Sequence, residues 1–327
     1  MVKSLLCYPK FITEEYTMPL SFIDSAQHIV LIAHQDPDAD SLGSASAFYS
    51  YLLRTQKKVT FYCVTPNIHA HLSFIPWVDK ITNRFPSDAD LAISFDCGSF
   101  GRLGVDYSGE LINFDHHISN DQYGTLNCID TAAMSTTQVV YEWFIGQDIK
   151  INAKMANALY AGLVDDTKCF RDPKCTLKIF GIAHRLLELG ANHEQCVNGL
   201  YNSKTLASLR LKGEMLKNMK LVLDGQLALF EVDQELLAST GASLVDCKAV
   251  LDEAITLKIV NVALLLAVRK RGGISLSLRS DGIVNASEMM QRYQGGGHHD
   301  RAGAKVMDKP LEQIREEIIR YIKEEIQ

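Results

Sequence analysis

The chain has 327 residues, of which 47% are hydrophobic, and its formal net charge is −6. A chain of this length usually forms more than one hydrophobic core, so we expect two domains. Proteins that bind long nucleic acids usually have a positively charged surface, so the negative net charge argues against that class of substrate. It leaves open a small anionic substrate that is held by metals and a few local cations.

Nothing in the sequence predicts export or membrane insertion. The first twenty residues contain no continuous apolar segment of the kind found in signal peptides. The longest apolar stretch, residues 259–268, is too short to span a bilayer. The eight cysteines include no C-x-x-C pair, which favours free thiols in a reducing compartment. We therefore expect a soluble, cytoplasmic protein without a membrane partner.

Apolar runs and helix-like segments alternate through the first half of the chain. Buried parallel strands are predicted over residues 28–34, 58–64, 91–96 and 111–117, and helices over residues 44–55, 136–146 and 153–164. This alternation predicts an α/β fold with a mainly parallel sheet and flanking helices.

The pattern changes after about residue 190. Residues 194–221 resemble one or two helices with little core periodicity, and further strand-like runs and a terminal helix follow. The "RKRGG" segment between two of these runs predicts a hairpin. We therefore predict a first domain over residues 1–192, a helical connector over 193–220 and a smaller α/β domain over 221–327.

Acidic residues and histidines follow the predicted strands of the first domain. Ligands of open α/β sheets collect at the carboxyl ends of strands, and crowded carboxylates need a cation among them. The residues concerned are His34, Asp38, Asp40, Asp96, Asp115, His116 and His117, joined by Asp165 and Asp166 at the end of a helix. Each segment alone could be a solvated turn or a helix cap, but four of them at one sheet edge favour metal binding. Carboxylates with imidazoles suit Mn²⁺ better than Mg²⁺, and the ligands suffice for two ions sharing a bridging carboxylate.

A second group of candidate residues lies near the C-terminus. Gly295, Gly296 and Gly297 precede His298, and glycines let backbone N–H groups approach an anion. Arg279, near the end of a predicted strand, could clamp a phosphate with its planar guanidinium. By itself, a triple glycine is also typical of a flexible turn.

These motifs, in this order, resemble the DHH phosphoesterase family. "HQDPDAD", "FD", "FDHH" and "VDDT" resemble its four metal motifs, and "GGGHHDRAG" resembles the glycine-rich motif of the DHH-associated C-terminal domain. The resemblance extends from about residue 20 to residue 305 and is closest to the oligoribonuclease and pAp-phosphatase type, often called nanoRNase.

The resemblance implies roles for individual residues. It implies that His34, Asp38 and Asp96 hold one metal ion and that Asp40, Asp96, His116 and Asp166 hold the other. His117 would face the scissile phosphate. The substrate would be held in the second domain by Arg279, Gly295, Gly296, Gly297 and His298.

Three positions depart from the family pattern. Lys168 stands where a glycine is common, Arg301 replaces the first alanine of the glycine-rich motif, and Asp36 stands where a neutral or basic residue is expected. None of these departures removes a predicted ligand.

The expected activity is Mn²⁺-dependent hydrolysis of short oligonucleotides, from dinucleotides to about pentamers, to 5′-mononucleotides, with pAp phosphatase activity as a companion. A cleft closed by two domains would measure substrate length, and long duplex nucleic acid is not expected to bind. The alternatives are hydrolysis of cyclic di-AMP or pApA, a polyphosphatase or pyrophosphatase, a RecJ-like exonuclease, and a catalytically silent nucleotide sensor. The sequence is compatible with a homodimer.

Overall fold

A computed structural model of the chain describes residues 14–326. The helices are α1 (Glu14–Ser25), α2 (Ala39–Leu52), α3 (Thr136–Gly146), α4 (Ala153–Asp166), α5 (Leu177–Glu188), α6 (His193–Leu200), α7 (Leu206–Lys217), α8 (Gln234–Thr240), α9 (Lys248–Ala254), α10 (Ala286–Gln291) and α11 (Leu311–Ile326). The strands are β1 (His28–Ala33), β2 (Lys58–Cys63), β3 (Ile81–Thr82), β4 (Leu91–Phe95), β5 (Glu110–Asp115), β6 (Leu126–Ile129), β7 (Lys220–Val222), β8 (Leu227–Val232), β9 (Val262–Val268), β10 (Ile274–Ser280), β11 (Gly296–Gly297) and β12 (Arg301–Val306). The predicted α/β class is confirmed.

The first sheet is parallel throughout, in the order β3-β2-β1-β4-β5-β6. All six residues of β1 are buried because both faces of the sheet are covered. Ile29 and Leu31 pack into the core that contains residues of α2, α3 and α4, whereas Val30 and Ile32 pack into a smaller cluster with Tyr62. This burial explains why β1 reads as a continuous apolar run.

Helix α2 begins earlier than residue 44, where the sequence predicted it. Asp38 is the N-cap residue, and its side chain accepts a hydrogen bond from the N–H of Ser41 at 3.1 Å. The cap lets the helix start at Ala39, so Asp40 lies in its first turn. The short strands β3 and β6 and helix α5 were not predicted from the sequence.

The second sheet has the order β11-β12-β10-β9-β8-β7 and mixes antiparallel pairs with the parallel pair β8 and β9. The hairpin predicted at "RKRGG" is confirmed, because β9 and β10 pair antiparallel from Val268 and Ile274 onward. Gly272 and Gly273 have φ angles of 87° and 78°, which glycine adopts at little cost.

The chain divides into two compact units between Ser203 and Lys204. The segment predicted as a connector contains α6, which belongs to the first unit, and α7, which belongs to the second. The domain limits of the sequence analysis stay predictions. Among residues 14–326, no helix combines the length and the apolar character needed to cross a bilayer.

Candidate metal centre

Three adjacent strands bring most of the predicted ligands to one edge of the first sheet. His34 follows β1, Asp96 follows β4 and Asp115 ends β5, and these strands are neighbours. Asp166 ends helix α4 at the same place. The end of α4 is also tied to the start of α2, because Asp165 Oδ2 accepts a hydrogen bond from the N–H of Ala39 at 3.3 Å.

The first ligand group consists of His34, Asp38 and Asp96. One potential ligand atom of each residue lies within 4.8 Å of the others. Nε2 of His34 is 3.5 Å from Oδ2 of Asp96 and 3.8 Å from Oδ1 of Asp38. His34 and Asp96 are buried, whereas Asp38 is exposed, so the group opens to solvent on one side.

The second ligand group consists of Asp40, Asp96 and His116, which also lie within 4.8 Å of one another. Nε2 of His116 is 3.5 Å from Oδ1 of Asp96 and 3.9 Å from Oδ2 of Asp40. Asp166 joins them, since its Oδ2 is 3.3 Å from the same nitrogen.

Asp96 belongs to both groups through different oxygen atoms. Its Oδ2 faces His34 and its Oδ1 faces His116. The backbone of Asp96 has a φ angle of 59°, a left-handed conformation that aspartate tolerates better than most residues. Its N–H donates to the carbonyl of Phe114 in the neighbouring strand β5 at 3.0 Å, which fixes Asp96 just beyond the end of β4. Asp96 therefore has the geometry of a bridging carboxylate.

The charges of this cluster shift its pKa values strongly. Burial lowers the pKa of His34, but Asp38 and Asp96 outweigh that effect and raise it to about 10. The pKa of His116 is likewise lowered by burial but is raised to about 10 by Asp166, Asp96 and Asp40. Burial and then the charges of Asp96 and Asp166 raise the pKa of Asp40 well above its usual range. Carboxylates this close together are strongly stabilised by a cation.

The donor set fits divalent metal ions. Nδ1 of His34 is 2.9 Å from the carbonyl of Gln35, and Nδ1 of His116 is 3.2 Å from the carbonyl of Ala133. A backbone carbonyl on Nδ1 selects the tautomer whose Nε2 can bind a metal. In both histidines it is Nε2 that faces the carboxylates.

Helix α3 supports the second group in a way that the sequence analysis did not foresee. The N–H groups of Thr136 and Thr137 donate to the two oxygens of Asp40, at 2.6 and 2.8 Å. The hydroxyl of Thr136 donates to Oδ1 of Asp96 at 2.9 Å. The positive end of α3 thus stabilises the carboxylates. The only signal in the sequence was the cap-like "STT" at the start of a predicted helix.

His117 is held by Asp115. Nδ1 of His117 is 2.7 Å from Oδ1 of Asp115, which also accepts the N–H of His116 at 2.8 Å. Burial would raise the pKa of Asp115, but the hydrogen bond and charge of His117 hold it below its usual value. The amide of Asn120 donates to the other oxygen of Asp115 and to the carbonyl of Cys97. Asp115 and Asn120 therefore orient His117.

The three departures from the family pattern have visible local structure. Lys168, where a glycine was expected, has a φ angle of 52°, and Cys169 and Phe170 follow with 58° and 59°. Nζ of Lys168 is 3.6 Å from Oδ2 of Asp172. Asp36 also has a positive φ angle, of 54°. Arg301 begins β12, where it pairs with Arg279 of β10.

In the second unit, β12 lies between the strand of Arg279 and the strand of Gly296 and Gly297. Nε of Arg279 is 2.6 Å from Oδ1 of Asp252, so the guanidinium is already paired with a carboxylate. A Cβ on Gly295 would lie 2.3 Å from the carbonyl oxygen of Gly303. Close packing against β12 therefore explains why residue 295 is a glycine. The N–H of Gly295 donates to the carbonyl of Met290, and the N–H of His298 donates to the carbonyl of Arg301. These two N–H groups therefore already have hydrogen-bond acceptors within the protein.

Comparison with family models and with known proteins gives a consistent result. The model described as the DHH family, N-terminal domain, matches residues 28–163, and the DHHA1 domain model matches residues 233–324. The chain is 27% identical to the bifunctional oligoribonuclease and PAP phosphatase NrnA of Thermus thermophilus, over 91% of this chain and 90% of that protein. It is 28% identical to the protein of the same name from Bacillus subtilis, over 85% and 89%.

Solved structures show the same fold. An exopolyphosphatase-related protein from Bacteroides fragilis superposes with a TM-score of 0.85 at 22% identity, covering 95% of this chain and 96% of that one. RecJ of Thermus thermophilus in complex with Mn²⁺ gives a TM-score of 0.57 at 12% identity, covering 94% of this chain and 54% of that one. At these identities the likeness concerns the fold.

Proposed function

Since this chain belongs to the DHH family, with a DHH N-terminal domain followed by a DHHA1 domain, we propose that it hydrolyses short oligonucleotides to 5′-mononucleotides. Dinucleotides to about pentamers are the proposed substrates, with pAp as a second one. Two relatives whose names give both activities match this chain over nearly their whole length, which supports the proposal. The observation that carries it is the position of Asp96, with one oxygen toward each ligand group.

We assign one divalent ion to His34, Asp38 and Asp96, and a second to Asp40, Asp96, His116 and Asp166. Mn²⁺ is the proposed metal, with Mg²⁺ as the alternative, because imidazole and carboxylate ligands occur together. Ions bound in this way lower the pKa of water toward neutrality and offset the charge of phosphate oxygens. The protein's contribution is a rigid site, in which Thr136 fixes Asp96 and carbonyls fix both imidazoles.

His117 is the proposed catalytic side chain that contacts the scissile phosphate. Asp115 holds the Nδ1 side of the ring, so the Nε2 side can face the substrate. An imidazole oriented by a carboxylate is a common device for placing a proton donor. Since Asp115 is itself held by Asn120, the ring is positioned before substrate binds.

The net charge of the chain supports the proposal of short substrates. A net charge of −6 gives long nucleic acids no electrostatic attraction, whereas a dinucleotide brings only one or two phosphates. In the second domain, we propose that Arg279, Gly295, Gly296, Gly297 and His298 hold the part of the substrate remote from the cleaved bond. Because Arg279 is paired with Asp252, binding by its guanidinium would have to compete with that carboxylate.

A substrate panel with Mn²⁺ tests the proposal. Diribonucleotides, pAp, pApA, cyclic di-AMP and polyphosphate are compared by chromatography, and the diribonucleotide is expected to give 5′-mononucleotides fastest. Asp38→Asn should lose this activity, whereas Asp36→Asn, an exposed neighbour outside both ligand groups, should keep it. Binding of the dinucleotide without turnover would favour a nucleotide sensor, and faster cleavage of polyphosphate would overturn the proposed substrate class.

A further inference from the structure

An arginine that the sequence analysis gave no role lies beside the first ligand group. Arg102 is in the 3₁₀ turn Phe100–Leu103, which follows β4. A terminal nitrogen of its guanidinium is 3.1 Å from Nδ1 of His34. The side chain is nevertheless exposed to solvent.

The backbone around Arg102 is firmly held. Its carbonyl accepts the N–H of Gln35 at 2.9 Å, and its own N–H donates to Ser99 at 3.2 Å. Leu103 is fully buried, and the carbonyl of Gly104 accepts the hydroxyl of Tyr62 at 3.0 Å. These contacts place the Arg102 side chain at the ligand group without relying on its guanidinium.

The contact with His34 cannot be the main use of the guanidinium. Nδ1 of His34 is also 2.9 Å from the carbonyl of Gln35, and that contact requires a proton on Nδ1. A protonated Nδ1 cannot accept from Arg102, which is only a donor. The tautomer that presents Nε2 to a metal therefore leaves the guanidinium beside His34 without an acceptor there.

Arg102 also lacks a carboxylate partner. Among residues 14–326, no carboxylate oxygen lies within 4.0 Å of its guanidinium, and Nδ1 of His34 is the one side-chain atom within hydrogen-bond distance of it. Arg279, by comparison, is paired with Asp252. A solvent-exposed guanidinium with several unused donors matches the geometry of a phosphate group.

We infer that Arg102 binds a phosphate group of the substrate next to the first metal position. This role rests on the proposed function, since it assigns the group that the same site would hold in a nucleotide. Arg102 would contribute to substrate affinity and not to retention of the metal, because a cation beside a cation site does not strengthen metal binding.

The test is calorimetric titration of 5′-AMP, and separately of inorganic phosphate, into the Mn²⁺-loaded protein. Arg102→Ala should weaken 5′-AMP binding at least about tenfold. The affinity of Arg102→Lys should lie between those of the wild type and Arg102→Ala, because lysine keeps the charge but lacks the planar guanidinium with its paired donors. Arg185→Ala, which removes an exposed arginine paired with Glu188 on α5, is the matched control and should bind like the wild type.

Mn²⁺ affinity, measured by electron paramagnetic resonance, separates binding from positioning. It should be unchanged or higher in Arg102→Ala. An unchanged affinity for 5′-AMP in Arg102→Ala overturns the inference. A parallel loss of affinity for Mn²⁺ and 5′-AMP overturns it too, because Arg102 would then only support His34. If the wild type cleaves no oligonucleotide yet binds phosphate through Arg102, the proposed function fails and the inference stands. If the wild type cleaves the dinucleotide yet binds neither ligand, the inference fails and the proposed function stands.

Discussion

Oδ1 of Asp115 lies 2.7 Å from Nδ1 of His117, and the amide of Asn120 holds the other oxygen of the same carboxylate. Asp115 is the last residue of β5, so the pair lies at the sheet edge where both ligand groups lie. This arrangement separates two kinds of residue in the "DHH" segment: His116 faces the carboxylates, whereas His117 is oriented by Asp115.

We expect Asp115→Asn to lower kcat for a diribonucleotide by about a hundredfold or more while KM changes little. The neutral amide keeps the shape of the side chain but no longer fixes the charge and orientation of the imidazole. Steady-state kinetics in Mn²⁺ and a thermal melt check this expectation. Asp121→Asn is the control, because Asp121 is an exposed neighbour outside the ligand groups. If the Asp115→Asn variant were as active as Asp121→Asn, Asp115 would have no role in orienting His117 for catalysis.

Asp96→Asn should abolish turnover while the protein stays folded. Losing the bridging charge disrupts both proposed metal positions, so less than about a tenth of the wild-type rate should remain in Mn²⁺. A thermal melt of the metal-free variant should show a folded protein, because the repulsion between Asp96 and Asp40 is lost together with the attraction of Asp96 for the protonated His34 and His116. If the variant keeps a larger share of the rate, Asp96 is only a turn residue.

A dinucleotide should be cleaved at least about tenfold faster than a twenty-nucleotide RNA at equal molar concentration, because the acidic chain does not attract long polyanions. Product release from end-labelled substrates at physiological salt measures both rates. Equal rates, or successive release from the long strand without dissociation, would support RecJ-like exonuclease activity instead.

Arg279→Ala should raise KM for a dinucleotide about tenfold or more, as expected for losing a hydrogen bond to a charged group. The effect should be much smaller for bis-p-nitrophenyl phosphate, which lacks the remote part of a nucleotide. Remote binding energy can also support orientation, so some loss of kcat is compatible with this role. Arg269→Ala, at the hairpin between β9 and β10, serves as the control. Equal losses on both substrates would contradict a binding role for Arg279.

The sequence predicted the parallel sheet because buried strands such as β1 contain an unbroken apolar run, here residues 29–33. It also predicted which strand ends carry acidic residues, and the structure brings His34, Asp96 and His116 together there. It could not predict Thr136 as a support of the site, because contacts with Asp40 and Asp96 join residues far apart in the chain. Strand β6 was missed because three of its four residues are only partly buried, so its apolar signal is weak.

The second domain shows the same limit in another form. The residue pattern identified Arg279 and the glycines, but not the pairing of Arg279 with Asp252 or the packing of Gly295 against Gly303. Arg102 had no signal beyond lying six residues after Asp96, since its relation to His34 depends on how the loops after β1 and β4 meet.

The most direct test of the metal centre is anomalous diffraction at the manganese absorption edge from crystals grown with Mn²⁺. Two peaks about 3.5–4 Å apart are expected, one next to His34 and Asp38 and the other next to Asp40, His116 and Asp166, with Asp96 between them. A single peak, or two peaks that do not share Asp96, would contradict a two-metal phosphoesterase centre in this protein.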